Sequence, residues 1–142
     1  MLGTPSKVLF YPHAPAPMNS PHRSLLIAAG LLGFTGVALG AFGAHGLRDM
    51  LESAGRLETW KTAVLYQLIH AVALLALSGW SDPAARKIGW CWIIGVFLFS
   101  GSLYGLALGG PKFLGPVTPL GGVAFLAGWA WVVVSAWKRP AA

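Results

Sequence analysis

Charge is what this sequence has least of. Of 142 residues only 10% are Asp, Glu, Lys or Arg, while 56% are hydrophobic. A water-soluble domain carries nearer a quarter of its residues as charges, so a chain this poor in charge cannot cover its own surface in water, and its main solvent must be apolar. Cysteine is nearly absent too. The single Cys91 excludes a disulfide framework within one chain and reads as a small buried apolar residue. Phosphate-cradling and dinucleotide-binding motifs are missing, and the Gly-rich run near the N-terminus opens no soluble βα unit. The net charge of +6 would suit a nucleic-acid binder only if the basic residues gathered on one face. Instead they are scattered between apolar runs, as lipid headgroups and topology signals require. Nucleic acid is therefore excluded as a partner, and the lipid bilayer is the expected one.

What is present is a set of long apolar runs. A helix needs about 20 mostly apolar residues to cross roughly 30 Å of hydrocarbon. Four runs qualify, at about 24–44, 62–80, 88–110 and 120–137, and none contains a charged side chain. Turn residues punctuate them: Ser81, Asp82 and Pro83 after the second, Gly109, Gly110 and Pro111 after the third, and Pro116 and Pro119 ahead of the fourth. Trp60, Trp80, Trp90 and Trp137 fall near expected ends, where an apolar ring with a wet N–H is favoured. Trp92, Trp129 and Trp131 lie deeper. The expected fold class is all-α integral membrane, with four transmembrane helices.

The link between the first two spans has its own pattern. Leu47, Met50, Leu51, Ala54 and Leu57 share one side of a helical wheel, with Arg48, Asp49, Glu52 and Arg56 opposite. Glu52 and Arg56 stand in the favourable i,i+4 order. This predicts a short interfacial amphipathic helix between spans 1 and 2, weakened at Gly55; a solvated loop is the alternative. Residues 1–23, with five prolines, are expected to be disordered, and 138–142 form a C-terminal tail. Met18 opens a stretch that reads as a natural start, which would make 1–17 an upstream extension. A cleaved signal peptide, with Ala41-Phe42-Gly43 as its site, is the rival reading of the first span. Six Lys or Arg flank the side of both termini against four on the other, which points both termini to the cytoplasm; a start at Met18 reduces six to five.

Small residues recur at helical spacing. Gly33, Gly36 and Gly40 mark one stripe and Gly101, Gly105 and Gly109 another, as close helix packing in lipid prefers. The missing intramembrane carboxylate disfavours proton-coupled export and carboxylate-based hydrolysis. What polarity remains centres on Tyr66, Gln67 and His70, which share a face of the second span; Ser100 and Tyr104 of the third span could meet them. The bland reading is a hydrogen-bonded cluster fixing helix register, and the functional one a proton relay or ligand contact. His45 and His70 invite a shared metal or haem, but about 15 Å of depth separates them, and His45 is expected to cap carbonyls or meet headgroups. No metal site, cofactor or catalytic set follows.

Two stretches carry a family resemblance. Gly40-Ala41-Phe42-Gly43-Ala44-His45-Gly46-Leu47 and the run from Trp60 through Tyr66, Gln67 and His70 to Ala71 resemble the domain-of-unknown-function family 423, which is similar to transmembrane protein 256. The resemblance covers roughly residues 24–137. It implies a small multispan membrane protein, in bacteria one of the plasma (inner) membrane, and supplies no mechanism. The functional expectation is a non-enzymatic helix-packing role, as a homo-oligomer or as an accessory subunit of another membrane protein. The alternative is a small-molecule transporter or binder using the Tyr66, Gln67 and His70 face.

Overall fold

A computed structural model describes residues 22–138 of the chain. The expected disordered segment and the Met18 start lie outside the described residues, apart from His22 and Arg23 at the head of the first helix. Five helices follow one another: α1 (Arg23–Ala44), α2 (Arg48–Ser53), α3 (Leu57–Ser78), α4 (Ala84–Ala107) and α5 (Leu114–Trp137). All but α2 are long and apolar enough to cross a membrane. At 1.5 Å per residue their 22 to 24 residues span about 33–36 Å.

The spans form a row. α1 packs on α3, α3 on α4 and α4 on α5, while α1 touches α4 only sparsely. α1 and α5 are its outer members and expose most of their apolar side chains. An even number of crossings puts the start of α1, the α3–α4 turn and the end of α5 at one edge, here called the termini edge. The α1–α3 link and the α4–α5 turn form the opposite edge. The larger core cluster lies toward the termini edge around Leu25, Leu74, Ile88, Trp92 and Phe125. A smaller one at the opposite edge gathers Leu51, Trp60 and Ala107.

Helix boundaries differ from the sequence expectation in instructive ways. The amphipathic link does not run through to residue 61. It stops at Ser53, and α3 begins five residues earlier than expected. Gly55 takes a left-handed φ of 66°, its N–H bonds the Glu52 carbonyl, and the Arg56 N–H bonds that of Leu51. This is a Schellman closure. The turn takes Arg56 off the α2 helix, so the expected Glu52–Arg56 pair gives way to Arg48–Glu52 at 2.9 Å. Of the proposed apolar face, Leu51 is fully buried and Leu47 and Leu57 partly so, while Met50 and Ala54 are exposed.

The third span, expected over 88–110, is instead Ala84–Ala107. It starts early because Asp82 accepts a hydrogen bond from the Ala84 N–H at 2.8 Å, satisfying one orphan donor of the first turn. It ends in a second Schellman closure: Gly109 has φ 85°, and the Gly109 and Gly110 N–H groups bond Leu106 and Gly105 carbonyls. The fourth span begins at Leu114 rather than 120 and takes both prolines inside. Pro116 costs no hydrogen bond there, since first-turn N–H groups have no intrahelical acceptor. Pro119 lies deeper and removes the bond that Gly115 would accept.

Candidate functional site

The two signature stretches face each other. A Cβ on Gly36 would stand 2.7 Å from Leu68 Cδ2, and one on Gly40 would stand 3.3 Å from Val64 Cγ1. One on Gly43 would overlap the Trp60 indole. Positions 36, 40 and 43 thus descend α1 as 68, 64 and 60 ascend α3, as two antiparallel helices in close approach require. Bare backbone lets Trp60 sit 3% exposed against α1. There its Nε1–H donates to the Leu39 carbonyl at 3.0 Å. Tyr104 of α4 meets the same indole edge-on at a centroid distance of 4.8 Å.

Gln67 closes the seam one turn deeper. It is 4% exposed and uses both ends of its amide. Nε2 donates to the Leu32 carbonyl and to Thr35 Oγ1, each at 2.9 Å. Oε1 accepts from the Tyr104 hydroxyl at 3.0 Å. One side chain therefore ties α1, α3 and α4 together where lipid offers no alternative partner.

His70 serves a different contact. Its Nδ1 lies 2.8 Å from the Tyr66 carbonyl and its Nε2 3.2 Å from Trp129 Nε1 on α5. An indole N–H can only donate, so Nε2 accepts and Nδ1 carries the proton toward Tyr66. The imidazole lies face to face with Phe125 at 3.6 Å, and Trp92 approaches its edge at 6.0 Å. Tyr66, 38% exposed, packs its ring on Phe99 at 4.5 Å. Its hydroxyl has no hydrogen-bond partner among the described residues.

The expected single cluster is thus two. Gln67 joins α3 to α1 and α4, whereas His70 joins α3 to α5. Adjacent helix positions differ by about 100°, so Tyr66 and Gln67 diverge across a row of helices where a rounder bundle would gather them. Tyr104 does reach the face it was expected to meet, through Gln67. Ser100 does not: its Oγ is buried and unpartnered among the described residues. Ser102, outside the expected pairing, bonds Thr118 Oγ1 of α5 at 2.7 Å. The glycine stripes divide likewise. Gly36 and Gly40 meet α3, a Cβ on Gly105 would stand 2.6 Å from Leu114 Cδ1, and Gly109 serves a turn that Arg56 Nη1 approaches to 3.0 Å of its would-be Cβ. A Cβ on Gly33 or Gly101 would meet nothing within 4 Å, so neither makes the close contact expected of it within the described chain.

In the string Gly40, Ala41, Phe42, Gly43, Ala44, His45 and Gly46, only Gly43 is buried, and Phe42 is 58% exposed. His45 ends α1; its backbone N–H bonds the Ala41 carbonyl and its side chain is exposed. No three His, Cys, Asp or Glu side chains gather in metal-holding geometry among the described residues. Sequence reasoning missed Thr35, Phe125 and Trp129. Trp129 carried a usable signal: an indole placed well inside a span needs an acceptor there.

Fold and seam define a class: an all-helical membrane protein of four spans, with Gln67 and His70 bonded to its own helices. The chain belongs to the family described as "Protein of unknown function (DUF423)", whose model matches residues 39–122 and so takes in both signature stretches. UPF0382 membrane protein SSP2132 of Staphylococcus saprophyticus is 41% identical over 119 residues, 82% of this chain and 98% of that protein. UPF0382 membrane protein YwdK of Bacillus subtilis is 39% identical over 121 residues, 82% of this chain and 98% of its own length. A relative from Schizosaccharomyces pombe, UPF0382 membrane protein C1782.12c, is 41% identical over 115 residues, 75% of this chain and 95% of its own. No solved structure matches.

Proposed function

We propose that this chain is a non-enzymatic protein of the plasma membrane, both termini cytoplasmic, that acts by lateral helix packing as a homo-oligomer or accessory subunit. The observation that carries this reading is the open row of spans. α1 is packed along one side by α3 and meets α4 only sparsely, at its start, through Leu25. Gly30 and Gly33 line an open apolar groove of about 320 Å³ between α1 and α3, beside Leu68, Ala71 and Leu75, and leave open space where a Cβ would stand, so a second backbone can come close. The polar groups able to support chemistry are engaged elsewhere: Gln67 and His70 spend their hydrogen bonds on the fold.

The test is Gly33→Cys in a Cys91→Ser background, oxidised in native membranes. A crosslinked species larger than the monomer is expected. A strictly monomeric product that also copurifies with nothing after detergent extraction would contradict the proposal. Reporter fusions at either end test the orientation and should read cytoplasmic.

One observation favours a second reading, a small-molecule binder. A groove of about 390 Å³ between α3 and α5 is lined by Tyr66, His70, Phe99, Pro119, Phe125 and Trp129 among others. The Tyr66 hydroxyl, ten residues into a 22-residue span, has no partner among the described residues, and an unmet hydroxyl in hydrocarbon is costly. His70→Ala and Tyr66→Phe should then abolish any ligand-induced stabilisation. Ligand responses unchanged in both variants would end this reading.

A further inference from the structure

The two edges of the molecule handle their cations differently. At the opposite edge Arg48, Arg56, Lys61 and Lys112 are accompanied by Asp49, Glu52 and Glu58. Arg48 is paired to Glu52 at 2.9 Å and Lys61 to Glu58 at 2.7 Å. At the termini edge Arg23, Arg86, Lys87 and Lys138 are accompanied by Asp82 alone, and one oxygen of Asp82 accepts from the Ala84 N–H at the head of α4. Lys87 and Lys138 have no carboxylate partner among the described residues.

These two lysines converge on one feature. Lys87 Nζ stands 5.6 Å above the centre of the Trp131 ring, a cation–π distance. Trp131, Ala127, Ala130, Val134 and Lys138 line a shallow apolar hollow of about 360 Å³ along the outer face of α5. Ala127 and Ala130 make its floor low. From Lys138 down to Ala127 is 11 helical residues, about 16 Å. One leaflet of hydrocarbon is about 15 Å deep. The hollow is therefore as long as one leaflet, with Lys138 at its wet end and the Lys87 ammonium over the Trp131 ring.

We infer that this face of α5 binds one anionic phospholipid, its phosphate held between Lys87 and Lys138 and an acyl chain lying along Ala127, Ala130 and Val134 beside Trp131. A zwitterionic lipid would bring its own cation to the same two lysines and gain less. The site is independent of the α1 face invoked above, so either can fail alone.

The test uses the full chain in mild detergent micelles doped with phosphatidylglycerol or phosphatidylcholine bearing identical brominated acyl chains. Quenching of tryptophan fluorescence is read, and the Trp131→Phe variant isolates the contribution of Trp131. Phosphatidylglycerol is expected to quench Trp131 at an about 30-fold lower mole fraction than phosphatidylcholine, the order of two cation contacts. Lys87→Gln with Lys138→Gln should erase that preference, while Lys61→Gln with Lys112→Gln should leave it intact. In the unsubstituted protein the preference should also shrink as salt rises. Equal quenching by both lipids would overturn the inference, as would a preference that survives the Lys87 and Lys138 substitutions or is indifferent to salt. A Trp131 shielded from both lipids by a second copy of the chain would overturn it too.

Discussion

Gln67 and His70 sit three positions apart on α3 and do different work. Gln67 makes three interhelical hydrogen bonds. Replacing it with Leu keeps the bulk but strands the Tyr104 hydroxyl. Interhelical hydrogen bonds in membranes average about 0.6 kcal/mol each, so Gln67→Leu should cost about 1–2 kcal/mol. Thermal unfolding in detergent should show a lower Tm. An unchanged Tm would mean that the amide is not shared among the three helices. For His70 the prediction concerns a proton. Trp129 donates to Nε2, which fixes the Nδ1–H tautomer, and 15N NMR of ring-labelled protein should report it. Trp129→Phe should free Nε2, moving its shift to that of an unbonded imine nitrogen, while the Tyr66 carbonyl, which can only accept, keeps the proton on Nδ1.

The glycines also separate at this scale. Gly43→Ala drives a methyl into the Trp60 indole. The indole must shift and lose Leu39, and overpacking of this kind costs about 1–3 kcal/mol. Gly101→Ala meets nothing and should be neutral or stabilise α4 by up to about 1 kcal/mol from helix propensity. Measured side by side, the two variants should move Tm in different directions or by clearly different amounts. Equal losses would deny that Gly43 is where α1 and α3 approach most closely.

At the scale of elements, most of the architecture was legible in the sequence, because hydrocarbon demands long uncharged runs and little else in 142 residues can supply them. The ends were less legible. Prolines 116 and 119 looked like a boundary because proline usually stops a helix. Placed near a helix start, Pro116 removes an N–H that no carbonyl was going to accept, so α5 simply begins earlier. Gly55 was read as a weak point; its left-handed φ makes it a hinge between two helices. Gly55 and Gly109 hold matching Schellman closures, so Gly55→Ala and Gly109→Ala should each cost about 1–2 kcal/mol in left-handed strain, with the Gly109 variant also crowding Arg56. Circular dichroism through a thermal ramp would register both. A Tm equal to that of the parent for either variant would show that its turn has another way to close.

Across the whole molecule, the polar seam was legible only as a shared helix face. Periodicity places Tyr66, Gln67 and His70 near one another on α3, but it is silent about which helix stands opposite each. That depends on whether four spans form a closed bundle or a row, and the row sends Gln67 toward α1 and His70 toward α5. The string running from Gly40 to Gly46 and the stretch beginning at Trp60 could be recognised as signatures without their meaning being visible. In three dimensions they are the two sides of one contact, glycine backbone against indole and valine, with Gln67 bonding across it a turn deeper. The same row leaves the outer faces of α1 and α5 open, which is why a partner helix is proposed for the first and an anionic lipid for the second.

The contact between those two stretches is the centre of this reading, and disulfide trapping in native membranes tests it most directly. Gly40→Cys and Val64→Cys, introduced together with Cys91→Ser, place two thiols where a Gly40 Cβ would stand 3.3 Å from Val64 Cγ1. Rapid intramolecular crosslinking, read as a shift in electrophoretic mobility, is the predicted result, with none for a Gly33→Cys and Gly101→Cys control pair. Failure of the 40–64 pair to crosslink, or crosslinking no faster than the control, would contradict it.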